Sequence, residues 1–294
     1  MKKILVVLDR LFACAKGIFT QNKNTLQTEA KNGNADAQYD LGLRYYVTQN
    51  YKQAVYWYTK AAEQGLADAQ YNLGVFYYYG MGVKLDYKKA VYWFTEVAEQ
   101  GDAKAQCSLG LCYHKGQGVT QDYKQAVYWF TKAAEQGFAE AQCILGICYD
   151  KGQGVTQDYK LAVYWYTKAA EQGNAQSQFN LGLCYYKGQG VTQGYKQAVY
   201  WFTKAAEQGY GEAQHNLGIW YYYGEVVMKN YKQAVYWWKK AAEQGLAESQ
   251  YTLGICYYRG QGVTQDYKQA VYWWKKAAKQ NCQPAKDILK KIGE

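Results

Sequence analysis

The chain has one proline, two histidines and three serines among its 294 residues, against 29 glycines and 34 tyrosines. A single proline leaves helices free to run until glycine stops them. His114 and His215 lie 101 positions apart, too isolated for a histidine-based metal cluster or a shared catalytic pair. None of Ser108, Ser177 and Ser249 opens the S-x-x-K motif of penicillin-recognising enzymes. The H-E-x-x-H, phosphate-loop and dinucleotide patterns are absent as well. No apolar run is long enough to cross a membrane. These gaps predict a chain without catalytic residues, metal or cofactor.

What is present is a period. Tryptophan recurs every 36 residues, at Trp57, Trp93, Trp129, Trp165, Trp201, Trp237 and Trp273. A phrase such as YKQAVYWFTKAAEQG surrounds each one, and a repeat of this length marks stacked supersecondary units. Anchored on glycine, the frame predicts seven repeats at 33–64, 65–100, 101–136, 137–172, 173–208, 209–244 and 245–280. The first is 32 residues long because YYVTQNYKQ lacks the G-x-G of its counterparts. Residues 1–32 read as an N-terminal capping segment, and 281–294 as a closing half-repeat that Pro284 opens at its first turn.

Each repeat reads as two helices. The first, as in 67–79, groups Ala69, Leu73, Gly74 and Tyr77; the second, as in 87–100, groups Ala90, Trp93, Phe94, Val97 and Ala98. Gly80 and Gly82 end the first helix and Gly101 the second, where positive φ is needed. The G-x-G follows a helix, so it is a turn and not a phosphate cradle. Gly74 and its counterparts sit inside a helix, at about 1 kcal/mol each against alanine. Their recurrence predicts close helix approach, with small residues such as Ala90 and Ala98 opposite. The repeat tryptophans read as core, with Trp238 and Trp274, each second in a Trp-Trp pair, as the more open rings.

The eight cysteines follow the repeat. Cys107 and Cys143 share one position; Cys112, Cys148, Cys184 and Cys256 share another. Two in one repeat point roughly 140° apart, and equivalents in successive repeats exceed the ~7 Å reach of a disulfide. They read as buried small hydrophobes in a reducing compartment. The net charge of +10 is carried by lysines recurring through the repeats, which reads as a solvated face and not a nucleic-acid stripe. Residues 1–19 stay open to two readings. As an amphipathic capping helix with Ile4, Leu8, Leu11, Ala15 and Ile18 on one face, they go with a cytoplasmic protein. As a short export signal, they go with an exported or periplasmic one.

The string AxxQxxLGxxYxxGxGVxxDYxxAVxWxxxAAxQG, running from Ala139 through Gly173, resembles the Sel-one-like repeat family, a longer cousin of the tetratricopeptide repeats. The resemblance spans residues 33–280 and implies an all-α, right-handed α-α superhelix with a concave face and an adaptor role in protein assembly. Its cysteine-rich branch pairs cysteines eight residues apart where this chain has Ala134 and Gln142, so those disulfides are not expected. That branch also implies the alternative function, a cell-wall or β-lactam-binding or hydrolysing protein. In the sixth repeat Gly224-Glu225-Val226 replaces G-x-G, so that connection is expected to sit differently.

A binding role directs attention to the varying positions of the first helices, which the resemblance places on the concave face. These are Tyr71 and Asn72, Tyr78, His114 and Lys115, Asp150 and Lys151, Asn180, Tyr186 and Lys187, His215 and Asn216, Tyr222, Tyr251 and Arg259. Spaced by whole turns, they share one helix side. Amides would hold a peptide backbone, tyrosines would add contact area, and the cationic row would select acidic groups. The competing reading packs the tyrosines between repeats. The expected partner is a protein or peptide, acidic segments among those the row would suit, bound by a monomer.

Overall fold

A computed structural model describes residues 23–294. The two readings of residues 1–19 fall outside the described residues. Among the latter the chain is all-α: sixteen helices in consecutive helix-turn-helix units, with no strand. The first helices are Ala35–Val47, Ala67–Tyr79, Ala103–Lys115, Ala139–Lys151, Ala175–Lys187, Gly211–Tyr223 and Ala247–Arg259. The second helices are Tyr51–Glu63, Tyr87–Glu99, Tyr123–Glu135, Tyr159–Glu171, Tyr195–Glu207, Tyr231–Glu243 and Tyr267–Lys279. Lys23–Lys31 precedes them and Gln283–Ile292, with proline in its first turn, follows.

The helix ends follow from local chemistry. Asp86, Asp122, Asp158 and Asp266 accept from backbone N–H groups in the first turn of the second helices, satisfying donors that have no partner within the helix. Gly80, Gly116, Gly188 and Gly260 close the first helices in the left-handed conformation. The chain divides into two compact units, one of residues up to Ala141 with Gln153–Val155, the other of Gln142–Gly152 and Thr156–Glu294.

Within each repeat the helical glycine has a specific occupant. A Cβ on Gly110 would stand 2.7 Å from the Phe130 ring; on Gly74 it would meet Phe94, on Gly146 Tyr166 and on Gly182 Phe202. The aromatic residue directly after the repeat tryptophan lies on the bare helix backbone, so the notch expected to admit alanine is filled by a ring. This overturns the expected exposure of Trp238 and Trp274. They occupy that same position, over Gly218 and Gly254, and are 3% and 1% exposed. Their indoles stay hydrogen-bonded there, Trp238 Nε1 to the His215 carbonyl at 3.1 Å and Trp274 Nε1 to the Tyr251 carbonyl at 3.2 Å. The repeat tryptophans themselves are less uniform: Trp57, Trp237 and Trp273 are buried, whereas Trp93, Trp129, Trp165 and Trp201 are half-buried.

Two further devices join neighbouring repeats. A buried glutamine in the first helix donates to a carbonyl at the end of the preceding second helix, as Gln106 Nε2 does to Ala98 O at 3.1 Å. Its own carbonyl accepts from the glutamine ending the next second helix, Gln136 Nε2 at 2.8 Å. Gln178 and Gln214 do the same in the second unit, with Gln208 and Gln244 as donors. Each of these helix-terminal carbonyls thus takes a second donor beside the N–H of the helix-ending glycine, as Ala98 O does from Gly101 N at 3.1 Å. The second glycine of each G-x-G touches the preceding repeat: a Cβ on Gly118 would collide with the Tyr87 carbonyl, and on Gly190 with that of Tyr159. In the sixth repeat Val226 stands there without positive φ, packed against the Phe202 and Trp220 cluster, so that connection does differ.

Gly110→Ala is expected to lower stability by about 1–3 kcal/mol, because overpacking against Phe130 outweighs the helix-propensity gain. The added change Phe130→Leu should recover part of the loss in urea unfolding followed by circular dichroism. Gln106→Leu removes the bonds to Ala98 O and from Gln136, at about 0.5–1.5 kcal/mol for each bond lost, while those partners keep Gly101 N–H and Gly101 O. A midpoint unchanged from the parent in either variant would contradict the packing described.

Candidate functional site

The first-helix positions divide by depth. Tyr71 lies against Phe94, ring centroids 5.7 Å apart, with its hydroxyl 3.5 Å from Ser108 Oγ in the next repeat. Desolvation pushes its pKa up to about 12. His215 faces Ser249 of the seventh repeat, Nδ1 to Oγ 2.8 Å, and burial lowers its pKa while Glu248 opposes the shift. Tyr251 is half-buried, and its carbonyl receives Trp274. These side chains are inter-repeat packing before they are anything else.

Asn72 does not fit the role expected of it. It is 6% exposed and lies against the Tyr58 hydroxyl, so it cannot hold an incoming peptide. The cause is local: the first repeat lays a tyrosine, not a phenylalanine, on its glycine, and the buried hydroxyl has a polar neighbour in Asn72. Asn216 donates Nδ2 to Glu212 O of its own helix at 2.7 Å, and Asn180 is half-buried.

One turn further, tyrosines reach the next repeat's loop. Tyr78 Oη donates to Gln117 Oε1 at 2.6 Å, and Tyr222 Oη to Gln261 Oε1 at 2.7 Å. Burial moves the Tyr78 pKa to about 12. Tyr186 packs between Tyr195 and Trp220, at 5.8 and 5.3 Å. The His114 ring meets Tyr123 edge-on at 5.1 Å. The His114 and Asp150 carbonyls accept from Gln121 and Gln157, which fixes each turn to its helix.

The last residue of each first helix is different. Lys115 in the first unit, and Lys151, Lys187 and Arg259 in the second, are exposed. Tyr223 takes the same place in the sixth repeat at 61% exposure. Lys115 Nζ donates to Tyr78 Oη at 3.3 Å. Among the described residues no acidic group forms an ion pair with Lys115, Lys151, Lys187 or Arg259.

A second surface escaped the sequence reading. The tyrosine before each repeat tryptophan, as in Tyr128, Tyr164, Tyr200 and Tyr236, is about half exposed and meets that tryptophan edge-on near 5 Å. A lysine head covers the ring face: Lys132 lies 4.8 Å from the Tyr128 centroid and Lys240 4.7 Å from that of Tyr236. The signal was available, since tyrosine four residues before lysine shares a helix face with it.

Among the described residues no group of three or more potential metal ligands converges, and no helix is long and apolar enough to cross a membrane. The six cysteines within the repeats are buried, with the thiols of Cys112, Cys184 and Cys256 pushed to about 12 by desolvation. At that pKa they are neither nucleophiles nor metal-ligating thiolates.

The Sel1 repeat family model matches residues 35–66, 67–102, 103–138, 139–174, 175–210, 211–246 and 247–282. Among solved structures, a protective antigen of uropathogenic Escherichia coli strains displaying an SLR fold is 38% identical, with a TM-score of 0.82 over 90% of this chain. This chain spans 58% of the length of that antigen. A Sel1 repeat protein from Oxalobacter formigenes is 34% identical, with a TM-score of 0.73 over 80% of this chain and 94% of its own. No curated protein matches the chain.

The lowered pKa of His215 has a consequence for stability. The folded state favours the neutral ring, so stability is full above the unfolded value of about 6.5 and falls as pH drops toward the folded pKa. His215→Tyr, the residue at this position in Tyr71 and Tyr251, should flatten the pH dependence of the melting temperature between about pH 7 and 5. An identical slope in both proteins would count against the buried neutral ring.

Proposed function

The chain belongs to the Sel1 repeat family, and from that premise we propose that it is a non-catalytic scaffold binding a peptide or partner domain through its first helices. Proteins built of these repeats generally mediate protein interactions and are typically non-catalytic. The finer reading, that the partner is acidic and meets the first-helix ends, is carried by one observation. Lys151, Lys187 and Arg259 end three of the four first helices of the second unit exposed and without an ion pair. A partner carboxylate would meet cations that have no competing salt bridge, held in register by rigid repeats.

Within that unit, Tyr223 would add contact area, and Asn180 and Asn216, half-buried beneath the row, would supply hydrogen bonds. Tyr186 and Tyr222 shape the floor through their packing, and Tyr251 and His215 hold adjacent repeats together below it. In the first unit the equivalent contacts come from Tyr78, His114 and Lys115. The monomeric state belongs to the same proposal, since the repeats satisfy their own faces.

A pull-down with quantitative mass spectrometry tests the row. The combined change Lys151→Ala, Lys187→Ala and Arg259→Ala is expected to reduce recovery of specific partners by about tenfold, the equivalent of roughly 1.4 kcal/mol. The pair Asn180→Ala and Asn216→Ala should weaken recovery less. Equal recovery of every partner by wild type and both variants would sink this assignment.

A further inference from the structure

The basic charge of this chain is not evenly distributed. Residues 231–294 hold eleven Lys and Arg against five Asp and Glu, whereas residues 23–230 hold nineteen against eighteen. The excess therefore gathers in the last two second helices and the terminal helix.

It arises from three breaks in the repeat. The third residue of the Trp-x-Thr pattern is Thr59, Thr95, Thr131, Thr167 and Thr203 in the first five repeats, then Lys239 and Lys275. In the first two repeats the threonine hydroxyl turns back on its own helix, Thr59 to Val55 O and Thr95 to Val91 O, each at 2.8 Å. The residue two before the helix-ending glycine is glutamate in six repeats, from Glu63 to Glu243, and Lys279 in the seventh. Attraction to the helix C-terminus accounts for Lys276 and Lys279, which lie in the last turn. It does not account for Lys239 and Lys275, which lie before it.

On the seventh second helix Lys268, Tyr272, Lys275, Lys276 and Lys279 are spaced by three and four residues, so they form one exposed stripe. A carboxylate already sits on it. Glu294 Oε2 meets Lys275 Nζ at 2.5 Å, with both side chains still about half exposed.

The chemistry of the stripe narrows what it takes. It holds lysine and no arginine, hence compact hydrated charges without the planar fork suited to bidentate phosphate recognition. The faces of Tyr236 and Tyr272 are covered by Lys240 and Lys276, each 4.7 Å from the ring centroid, leaving no open platform for stacking nucleic-acid bases. The apolar sides of these helices are buried through Trp273, Trp274 and Leu289, and Ile292 is the one exposed large aliphatic residue of the last two helices. A wedge for a lipid bilayer is thus lacking.

We propose that this stripe, from Lys239 through Lys279, is a docking surface for a carboxylate-rich segment of a partner protein. It lies on the second helices, apart from the first-helix row, and neither site needs the other. Tyrosine hydroxyls between the lysines would donate to carboxylates, and Glu294 occupies part of the surface until displaced.

Fluorescence anisotropy of a fluorescein-labelled oligoglutamate against the full chain tests it. Wild type should bind with an affinity that falls as salt rises. The triple variant Lys239→Thr, Lys275→Thr, Lys279→Glu restores residues that other repeats carry, and should bind about tenfold more weakly, or roughly 1.4 kcal/mol. The same triple change made in a Lys151→Ala, Lys187→Ala background should still weaken binding about tenfold, which separates this surface from the first-helix row. Should the triple variant lose its circular dichroism melting transition, the exposed single change Lys275→Gln must still show a measurable loss. Wild type failing to bind at low salt, or variant and parent binding alike, would overturn the proposal. So would tighter binding of a single-stranded oligonucleotide or of phosphatidylserine vesicles than of oligoglutamate.

Discussion

An aromatic ring lying on a bare stretch of helix is the contact from which the rest of each repeat follows. Gly110 and Phe130 typify it: removing the side chain from the first helix lets the ring of the second rest on backbone. The ring sets the spacing of the two helices, and that spacing brings the flanking alanines, such as Ala126 and Ala134, into full burial. Glycine's cost in helix propensity, about 1 kcal/mol, is offset by the burial of an aromatic side chain at about 1.5–3 kcal/mol. The exchange works equally with phenylalanine, tyrosine or tryptophan above the glycine. Tryptophan adds an Nε1 donor that reaches a first-helix carbonyl, and tyrosine adds a hydroxyl whose burial raises its pKa well above the ordinary value, as at Tyr58.

Neighbouring repeats are joined by polar and backbone contacts as much as by apolar ones. The buried glutamines link three helices through two hydrogen bonds each, and the loop glycines let one turn approach the preceding helix start. Both devices act over one repeat only, so the packing is propagated by nearest-neighbour terms. A position such as Gln106 is consequently as fixed as a core leucine although it is polar. An unbonded amide would not persist there, since a polar side chain buried without partners costs more than a made bond returns.

The helix frame was legible because its determinants are local. Asp122 at a cap, Gly116 at a left-handed terminus and the alternation of small and aromatic residues each act within a few residues of their own position. The burial order of the tryptophans was not legible. It depends on which ring meets a glycine on the partner helix, and hydrophobicity alone ranks Trp237 and Trp238 alike. Asn72 misled for a related reason: its environment is set by the hydroxyl of Tyr58 on the preceding second helix. The glutamine bonds were likewise hidden, since a polar residue on a varying helix reads as exposed until the carbonyl beside it is known. Among the candidate residues, exposure was legible for those at helix ends, Lys151, Lys187 and Arg259, because a terminal position leaves a long side chain few places but solvent.

Repetition also supplies an internal reference that an ordinary domain lacks. Seven copies of one packing problem show which side chain solves it, so a departure is informative in proportion to what the frame demands at that place. Replacing Phe202 by Trp238 at the glycine contact preserves the contact and changes only the core. Replacing Thr203 by Lys239 exchanges a half-buried hydroxyl for an exposed charge, with no packing gain to explain it. The first kind of change maintains the array. The second alters only what the array presents, and it accumulates at one end of the second unit, where the side chains of successive helices reinforce one another's potential. In an array whose interior is nearly invariant, such unforced surface changes are the part of the sequence that packing does not explain.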